Sequence, residues 1–299
     1  MKGKVCLITG GSTGLGSYIA HGFLVAGASR VYITARSKDN LVKKKNELEK
    51  ISDGECIAIK SDLSSLDGVQ KLVSEIRARE QHIDVLVNNA GIGLGTPIKT
   101  MRVEDWDRTM ELNTKSPIFL TQALLDMLSK NATLEDPSRV IFISSVAASI
   151  VVPSVLAYSA SKKILEHLTT QLALAVSDDF IRVNAIAPGY ILTDVSRLLL
   201  EGDRSESFVK GIPMRRYGEF DDLDGPLLML ASDASKYMTG AVVVVDGGHL
   251  CAELLLEMSK RKKARTSARP GLHKYSYLRI DSPFVTSKFD QALDHQNSN

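Results

Sequence analysis

Apolar and polar positions along residues 1–250 alternate between two textures. Short runs of β-branched and aliphatic residues read as strands: KVCLIT (4–9), RVYIT (30–34), ECIAIK (55–60), IDVLVNNAG (83–91), RVIFISS (139–145), IRVNAIA (181–187) and AVVVVDGG (241–248). Between them lie longer stretches with helical spacing: LGSYIAHGFLVAG (15–27), KDNLVKKKNELEKI (38–51), LDGVQKLVSEIRARE (66–80), a long helical reach ending near LDMLSK (125–130), and AYSASKKILEHLTTQLALAV (157–176). Strands that alternate with helices of this length predict βαβ units, because parallel neighbours need a crossover long enough to hold a helix. The expected fold is α/β: a single doubly wound (Rossmann-type) parallel sheet of about seven strands, with helices on both faces. After Gly248 the alternation stops. SKRKKARTSARPGLHKYSY (259–277) is basic and rich in turn formers, so residues 251–299 are predicted to be an irregular or disordered basic C-terminal extension.

Composition changes this picture little. The chain has 299 residues, 44% of them hydrophobic and 24% charged, enough for one large α/β domain with a sizeable core. No apolar run reaches the roughly 18 residues that a membrane span needs. The apolar run after Lys4 is too short for a secretory signal, so it reads as the first strand. Cys6, Cys56 and Cys251 are too widely spaced for a disulfide framework or a metal cluster, and the six histidines have no ligand spacing. A cytoplasmic protein without a metal is the expectation. The net charge of +2 is unevenly placed: residues 251–299 carry +4 and residues 1–250 carry −2. The body therefore has no basic surface suited to nucleic acid.

Two regions carry chemistry. TGGSTGLG, Thr9 to Gly16, joins the first strand to the first helix. Glycines at Gly10, Gly14 and Gly16 permit a tight turn and close approach of backbone to a phosphate, with Ser12, Thr13 and Leu15 between them. The helix N-terminus that follows offers unpaired N–H groups and the positive end of its dipole. About 20 residues on, where an acidic residue would bond the 2′-hydroxyl of NAD, the chain reads Ala35-Arg36-Ser37. A guanidinium suits a 2′-phosphate dianion, so Arg36 points to NADP(H), with Ser37 as a second donor. A solvated arginine after a strand is the plain alternative.

The second region is YSASKK, which puts Tyr158 and Lys162 four apart on one helical face. A phenol titrates near pH 10, and a neighbouring ammonium draws that value toward neutrality. Upstream, a strand ends at Ser144-Ser145, where an open α/β sheet presents its ligand site. Asn113, in MELNTKS, is a polar residue in mid-helix. It is either a satisfied buried amide or a group with a bonding task.

Taken together, these pieces resemble the short-chain dehydrogenase/reductase family. The matching segments are TGGSTGLG, Asp62 in SDLSS, NNAG at 88–91, Asn113, Ser145, YSASK, PGYILT at 188–193 and VVDGG near 248. They span residues 3–250 in the family's order. Within it, CIAIKSDLSS, DPSRVIFISS and IRVNAIAPGY are most similar to 3-oxoacyl-reductase-like members of the rhamnolipid type. The resemblance implies a catalytic, dinucleotide-binding domain over residues 1–250. It implies that Tyr158 protonates a carbonyl oxygen as hydride arrives, that Ser145 polarises that carbonyl, and that Lys162 bonds the nicotinamide ribose and lowers the Tyr158 pKa. Asn113 would hold a water in the proton relay. On the cofactor, Asp62 and Leu63 would meet the adenine, and Asn89, with Ala90 and Gly91, the adenosine side. Pro188, Gly189 and Ile191 would lie with Thr193, which reaches the carboxamide. Thr13 stands where many NADP-dependent relatives carry a second basic residue.

The segment between Ser145 and Tyr158 is apolar, and so is the SRLLLEG stretch (196–202) with Phe208. This favours an acyl chain or hydrophobic ketone as substrate, an acyl thioester included. Arg215 and Arg216 read either as a hold for a phosphopantetheine or carrier protein, or as a solvated pair. A sugar-acid or polyol dehydrogenase of the gluconate type is the alternative function, and a non-catalytic NADP(H)-binding scaffold is the alternative from another class. Long apolar helices near 104–130 and 157–177 suit a homodimer or homotetramer.

Overall fold

The computed structural model describes residues 1–192 and 209–252. Thr193, the SRLLLEG stretch, Phe208 and the basic extension from residue 253 onward lie outside the described residues, and so do the expectations attached to them. The described residues belong to one compact unit, Met1–Leu255.

Seven parallel strands form one sheet in the order β3-β2-β1-β4-β5-β6-β7. They are β1 (Val5–Thr9), β2 (Arg30–Ala35), β3 (Glu55–Lys60), β4 (Val85–Asn88), β5 (Ser138–Ile143), β6 (Ile181–Pro188) and β7 (Val242–Val245). The doubly wound expectation therefore holds, strand count included. The central strands are buried on both faces, which is why they read as continuous apolar runs instead of alternating ones. Alternate residues serve opposite cores. Leu7, Leu86, Val140 and Phe142 face one, and Cys6, Ile8, Val85, Val87 and Ile141 face the other.

Helices close both faces: α1 (Gly14–Val25), α2 (Lys38–Leu48), α3 (Leu66–Arg77), α4 (Val103–Met110), α5 (Ser116–Ala123), α6 (Leu125–Ser129), α7 (Leu156–Ala175) and α8 (Asp224–Ala231). The long helical reach that the pattern predicts before residue 130 is divided. A π-turn, Glu111–Lys115, sits between α4 and α5, and a break at Leu124 separates α6. Among the described residues no helix is long and apolar enough to cross a membrane.

The chain leaves β3 at one edge and re-enters at β4, beside β1. That reversal opens a crevice above the C-terminal ends of β1 and β4, where open α/β sheets hold their ligands.

Candidate active site

A cleft of about 710 Å³ occupies that crevice. It is lined by Gly10, Ser12 and Thr13 after β1, by Thr34 and Ala35 at the end of β2 with Arg36, Ser37 and Asn40 beyond it, by Ser61, Asp62 and Leu63 after β3, and by Asn89 to Ile92 after β4, with Leu112. Four strand ends thus deliver residues from far apart in sequence to one groove.

The glycine loop is shaped by contact. Gly10 has φ +68° and Gly14 φ +54°, conformations that favour glycine. A Cβ on Gly16 would lie 2.3 Å from the Gly10 carbonyl oxygen and 2.4 Å from Asn89 Nδ2, so the loop can fold back on α1 only because that atom is missing. Gly14, Leu15 and Gly16 do not line the cleft. They open the helix, and Leu15 packs toward the core. Ser37 and Ser65 cap α2 and α3 with side-chain oxygens, whereas Thr13 at the N-cap of α1 makes no side-chain cap bond and no acid follows in the first turn. The first N–H groups of α1 thus have no side-chain cap.

Asn89 borders the groove, and its amide nitrogen is engaged with the protein. Its Nδ2 donates to the Thr9 carbonyl (2.8 Å) and the Gly10 carbonyl (3.2 Å), while Thr9 Oγ1 accepts from the Asn89 and Ala90 N–H groups, both at 3.0 Å. These bonds staple β4 to the glycine loop. Arg36 is exposed at the far end of the cleft and has no ion pair among the described residues. Asp62 accepts the Ser64 N–H at 3.1 Å. That bond, with Arg36 and Arg108 nearby, holds its carboxyl below the usual range. The Ser37 oxygen accepts the Asn40 N–H at 3.3 Å, which leaves its own hydrogen free to donate.

At the other end, Gly91 brings the cleft against Asn113 and Lys162. Its missing Cβ would lie 3.2 Å from Asn113 Oδ1 and 3.5 Å from Lys162 Nζ. Asn113 sits in the π-turn, buried, and its amide is heavily engaged. Nδ2 donates to the Ile92 carbonyl (2.8 Å) and to Ser161 Oγ (3.1 Å), and Oδ1 accepts the Ile92 N–H (2.8 Å). Both donors are taken, so any water at this side chain has only the remaining Oδ1 lone pair to bind. Lys162 is buried and donates to the Ile143 carbonyl at 2.7 Å. Burial pulls its ammonium down to about 8.

Tyr158 is half-buried. Burial pushes its phenol up, and a hydrogen bond with Ser145 draws it partly back. Lys162 Nζ stands 5.6 Å from the centre of the Tyr158 ring, turned toward Ile143. The lowering of Tyr158 expected from Lys162 is absent in this arrangement: the two groups are packed, but the ammonium bonds a backbone carbonyl and desolvation governs the phenol. Ser145 Oγ accepts the Ala147 N–H at 3.2 Å, which fixes the oxygen and leaves its hydrogen to donate. The paired Ser144 points away, donating to Glu166 and the Lys162 carbonyl.

Pro188 ends β6. Gly189 and Ile191 line a separate cavity of about 100 Å³. Gly189 approaches β7 so closely that a Cβ would stand 2.7 Å from Asp246 Cα. Arg216 is bound to Asp222 by two bonds of 2.6 and 2.8 Å, and Arg215 donates to the Lys210 carbonyl. The pair is thus partnered within the protein. Sequence reasoning missed Thr34, Asn40, Ser61, Ile92 and Leu112 in the cleft, and Ser161 beside Asn113. Ser61 and Ser161 carried a signal, as members of SDLSS and YSASK.

Glycine turn, open helix end and Ser–Tyr–Lys cluster on one parallel sheet define a dinucleotide-dependent oxidoreductase class. The chain belongs to the short-chain dehydrogenase/reductase family: the profile described as enoyl-(acyl carrier protein) reductase matches residues 10–249. It is similar to a rhamnolipid-biosynthesis 3-oxoacyl-[acyl-carrier-protein] reductase of Pseudomonas aeruginosa, 37% identical over 250 residues that cover 83% of this chain and 96% of the relative. It is similar, at 36% identity over 253 residues (84% and 96%), to a 2-dehydro-3-deoxy-D-gluconate 5-dehydrogenase of Dickeya dadantii. Among solved structures, the Pseudomonas aeruginosa RhlG/NADP active-site complex superposes with a TM-score of 0.79 at 36% identity, covering 84% of this chain and 97% of that one.

Proposed function

We propose that this chain is an NADPH-dependent carbonyl reductase of 3-oxoacyl thioesters or related hydrophobic ketones. The observation that carries the reading is one groove running from Arg36, which has no ion pair among the described residues, to Gly91, which abuts Asn113 and Lys162. The residues fit NADP(H). The glycine loop and the uncapped α1 N-terminus suit the pyrophosphate, Arg36 and Ser37 the 2′-phosphate, and Asp62 and Leu63 the adenine. When bound, the cofactor supplies the hydride. Ser145 donates a hydrogen bond to the substrate oxygen, and Tyr158 delivers the proton to it. A phenol kept above its ordinary pKa remains protonated at neutral pH, the form an acid needs. Lys162, buried beside the Tyr158 ring, bonds the nicotinamide ribose.

The substrate side supports an apolar chain. The Thr96 N–H donates to the Ser154 carbonyl at 2.7 Å, which draws residues 92–98 against the Ser–Tyr segment. Val151 there is 88% exposed and Ile98 is 67% exposed, and the segment contains no cation. A carboxylate sugar would want one. The gluconate-type reading stands behind this one because the Dickeya relative is nearly as similar. The half-exposed Phe119 beside Ile118 and Leu168 gives α5 and α7 an apolar outer face, which assembly as a homodimer or homotetramer would cover.

The test is turnover of a 3-oxoacyl thioester and of 2-dehydro-3-deoxygluconate by wild type and Tyr158→Phe. Faster thioester reduction that falls by about a hundredfold or more in the variant, the range of a lost general acid, supports the reading. Faster sugar-acid turnover replaces it with the gluconate-type function. A biological role that survives Tyr158→Phe, without turnover in either protein, leaves the scaffold.

A further inference from the structure

The end of β5 and the active-site helix are joined by three successive contacts. Ser145 meets Tyr158. The Ile143 carbonyl accepts from Lys162 Nζ at 2.7 Å. Between them, Ser144 Oγ lies 3.1 Å from Glu166 Oε1 and 3.3 Å from the Lys162 carbonyl, sharing one hydrogen between two acceptors. Residues 143, 144 and 145 thus engage α7 at 162, 166 and 158, positions one helical turn apart.

The middle contact differs from its neighbours. Ser144 is 3% exposed and Glu166 9%, and neither lines the cofactor cleft. A carboxylate in such a place costs stability unless it is bonded, and a leucine would fill the same helical position without that cost. Both Glu166 oxygens are engaged, Oε1 by Ser144 and Oε2 by Lys163 Nζ at 3.0 Å. The Lys162 side chain has four methylenes with which to follow a small slip of the helix. The serine hydroxyl is one methylene from the strand backbone and has no such reach. A slip of one residue moves a helix by about 1.5 Å, well outside a hydrogen bond's tolerance.

We propose that Glu166, acting through Ser144, is a positioning residue: it sets the register of α7 so that Tyr158 meets Ser145 while Lys162 reaches Ile143. The inference rests on the reductase reading for its catalytic consequence only. Its requirement is an acceptor oxygen at residue 166, not a negative charge.

The experiment compares Glu166→Gln, Glu166→Leu, Ser144→Ala and the Ser144→Ala/Glu166→Leu double variant. It measures kcat and KM with NADPH and a 3-oxoacyl thioester, the NADPH Kd by nicotinamide fluorescence, and a crystal structure of each variant that folds. Misplacement of a reacting group by about 1 Å costs up to about a hundredfold. Glu166→Leu and Ser144→Ala are therefore each expected to lower kcat by about ten- to a hundredfold, with KM and the NADPH Kd unchanged. The double variant should be no worse than either single one, and Glu166→Gln should restore kcat to within about threefold of wild type, since its amide oxygen still accepts. In the crystals, Tyr158 should be displaced from Ser145 in the leucine and alanine variants and unmoved in the glutamine variant. Unchanged kcat in both single variants overturns the proposal, as do an unmoved Tyr158 or failure of Glu166→Gln to restore activity. If Glu166→Leu does not fold, Ser144→Ala, which removes one buried atom, decides the matter alone. If the wild type turns over no carbonyl compound, the reductase reading fails while the crystallographic comparison still decides the positioning role.

Discussion

Gly16 illustrates how single atoms govern this site. Its hydrogen faces the Gly10 carbonyl and Asn89 Nδ2, and a methyl group there would sit within 2.4 Å of both. Gly16→Ala must push the loop away from α1 and break the Asn89 bond to Gly10. Overpacking of this kind costs about 1–3 kcal/mol, so the NADPH Kd is expected to rise by about tenfold or more, measured by fluorescence titration. An unchanged Kd would show that the loop tolerates the shift. Gly16 was legible in the sequence, as were Arg36, Tyr158 and Lys162, because each belongs to a local spacing with a chemical reason. Glu166 and Thr96 were not. Their bonds join elements 22 and 61 residues apart, and no local pattern encodes such a meeting. Asn89, expected on the adenosine side, does border the cleft, and its Nδ2 holds the glycine loop.

Among the elements, α7 begins without a cap of its own. Val155 stands at its N-cap and provides no side-chain oxygen, and Thr96, fully buried in the loop after β4, accepts the Ala157 N–H at 3.1 Å instead. The helix that carries Tyr158 is thus capped from a distant segment. Thr96→Val keeps the shape and removes the acceptor. It is expected to lower stability by about 1–2 kcal/mol, read as a lower urea midpoint with unchanged slope, while Thr96→Ser stays near wild type. Equal midpoints for valine and threonine would contradict the capping role. The division of the helix before residue 130 was invisible for a related reason. Helical periodicity continues through MELNTKSP, and the π-turn that carries Asn113 adds a residue to one turn without disturbing the apolar pattern. All seven strands, in contrast, were readable, the central ones because a sheet covered on both faces demands uninterrupted apolar runs.

Across the whole molecule, acid should unfold the protein through its carboxylates. Asp62, Asp105, Asp126, Asp136 and Asp222 are all held below their ordinary range, Asp222 at about 2, chiefly by N–H and guanidinium donors. A carboxyl whose folded pKa is depressed binds fewer protons folded than unfolded, so its contribution is complete above the unfolded value near 4 and is lost as pH falls toward 2. Asp224 is shifted the other way by burial and opposes the trend as a single group. Calorimetry is expected to give a lower Tm at pH 3 than at pH 6, with the gap narrowing in high salt because most of these pairs face solvent. A Tm independent of pH across that window would contradict this accounting.

At the same scale lies the central claim, that the groove binds a 2′-phosphorylated dinucleotide and delivers its hydride to a ketone. It is tested most directly by the loss of nicotinamide absorbance with a short 3-oxoacyl thioester, with NADPH and NADH run side by side on wild type and Arg36→Asp. Turnover with NADPH, little with NADH, and a reversed or abolished preference in the variant are expected. Equal or better turnover with NADH in the wild type would contradict the claim.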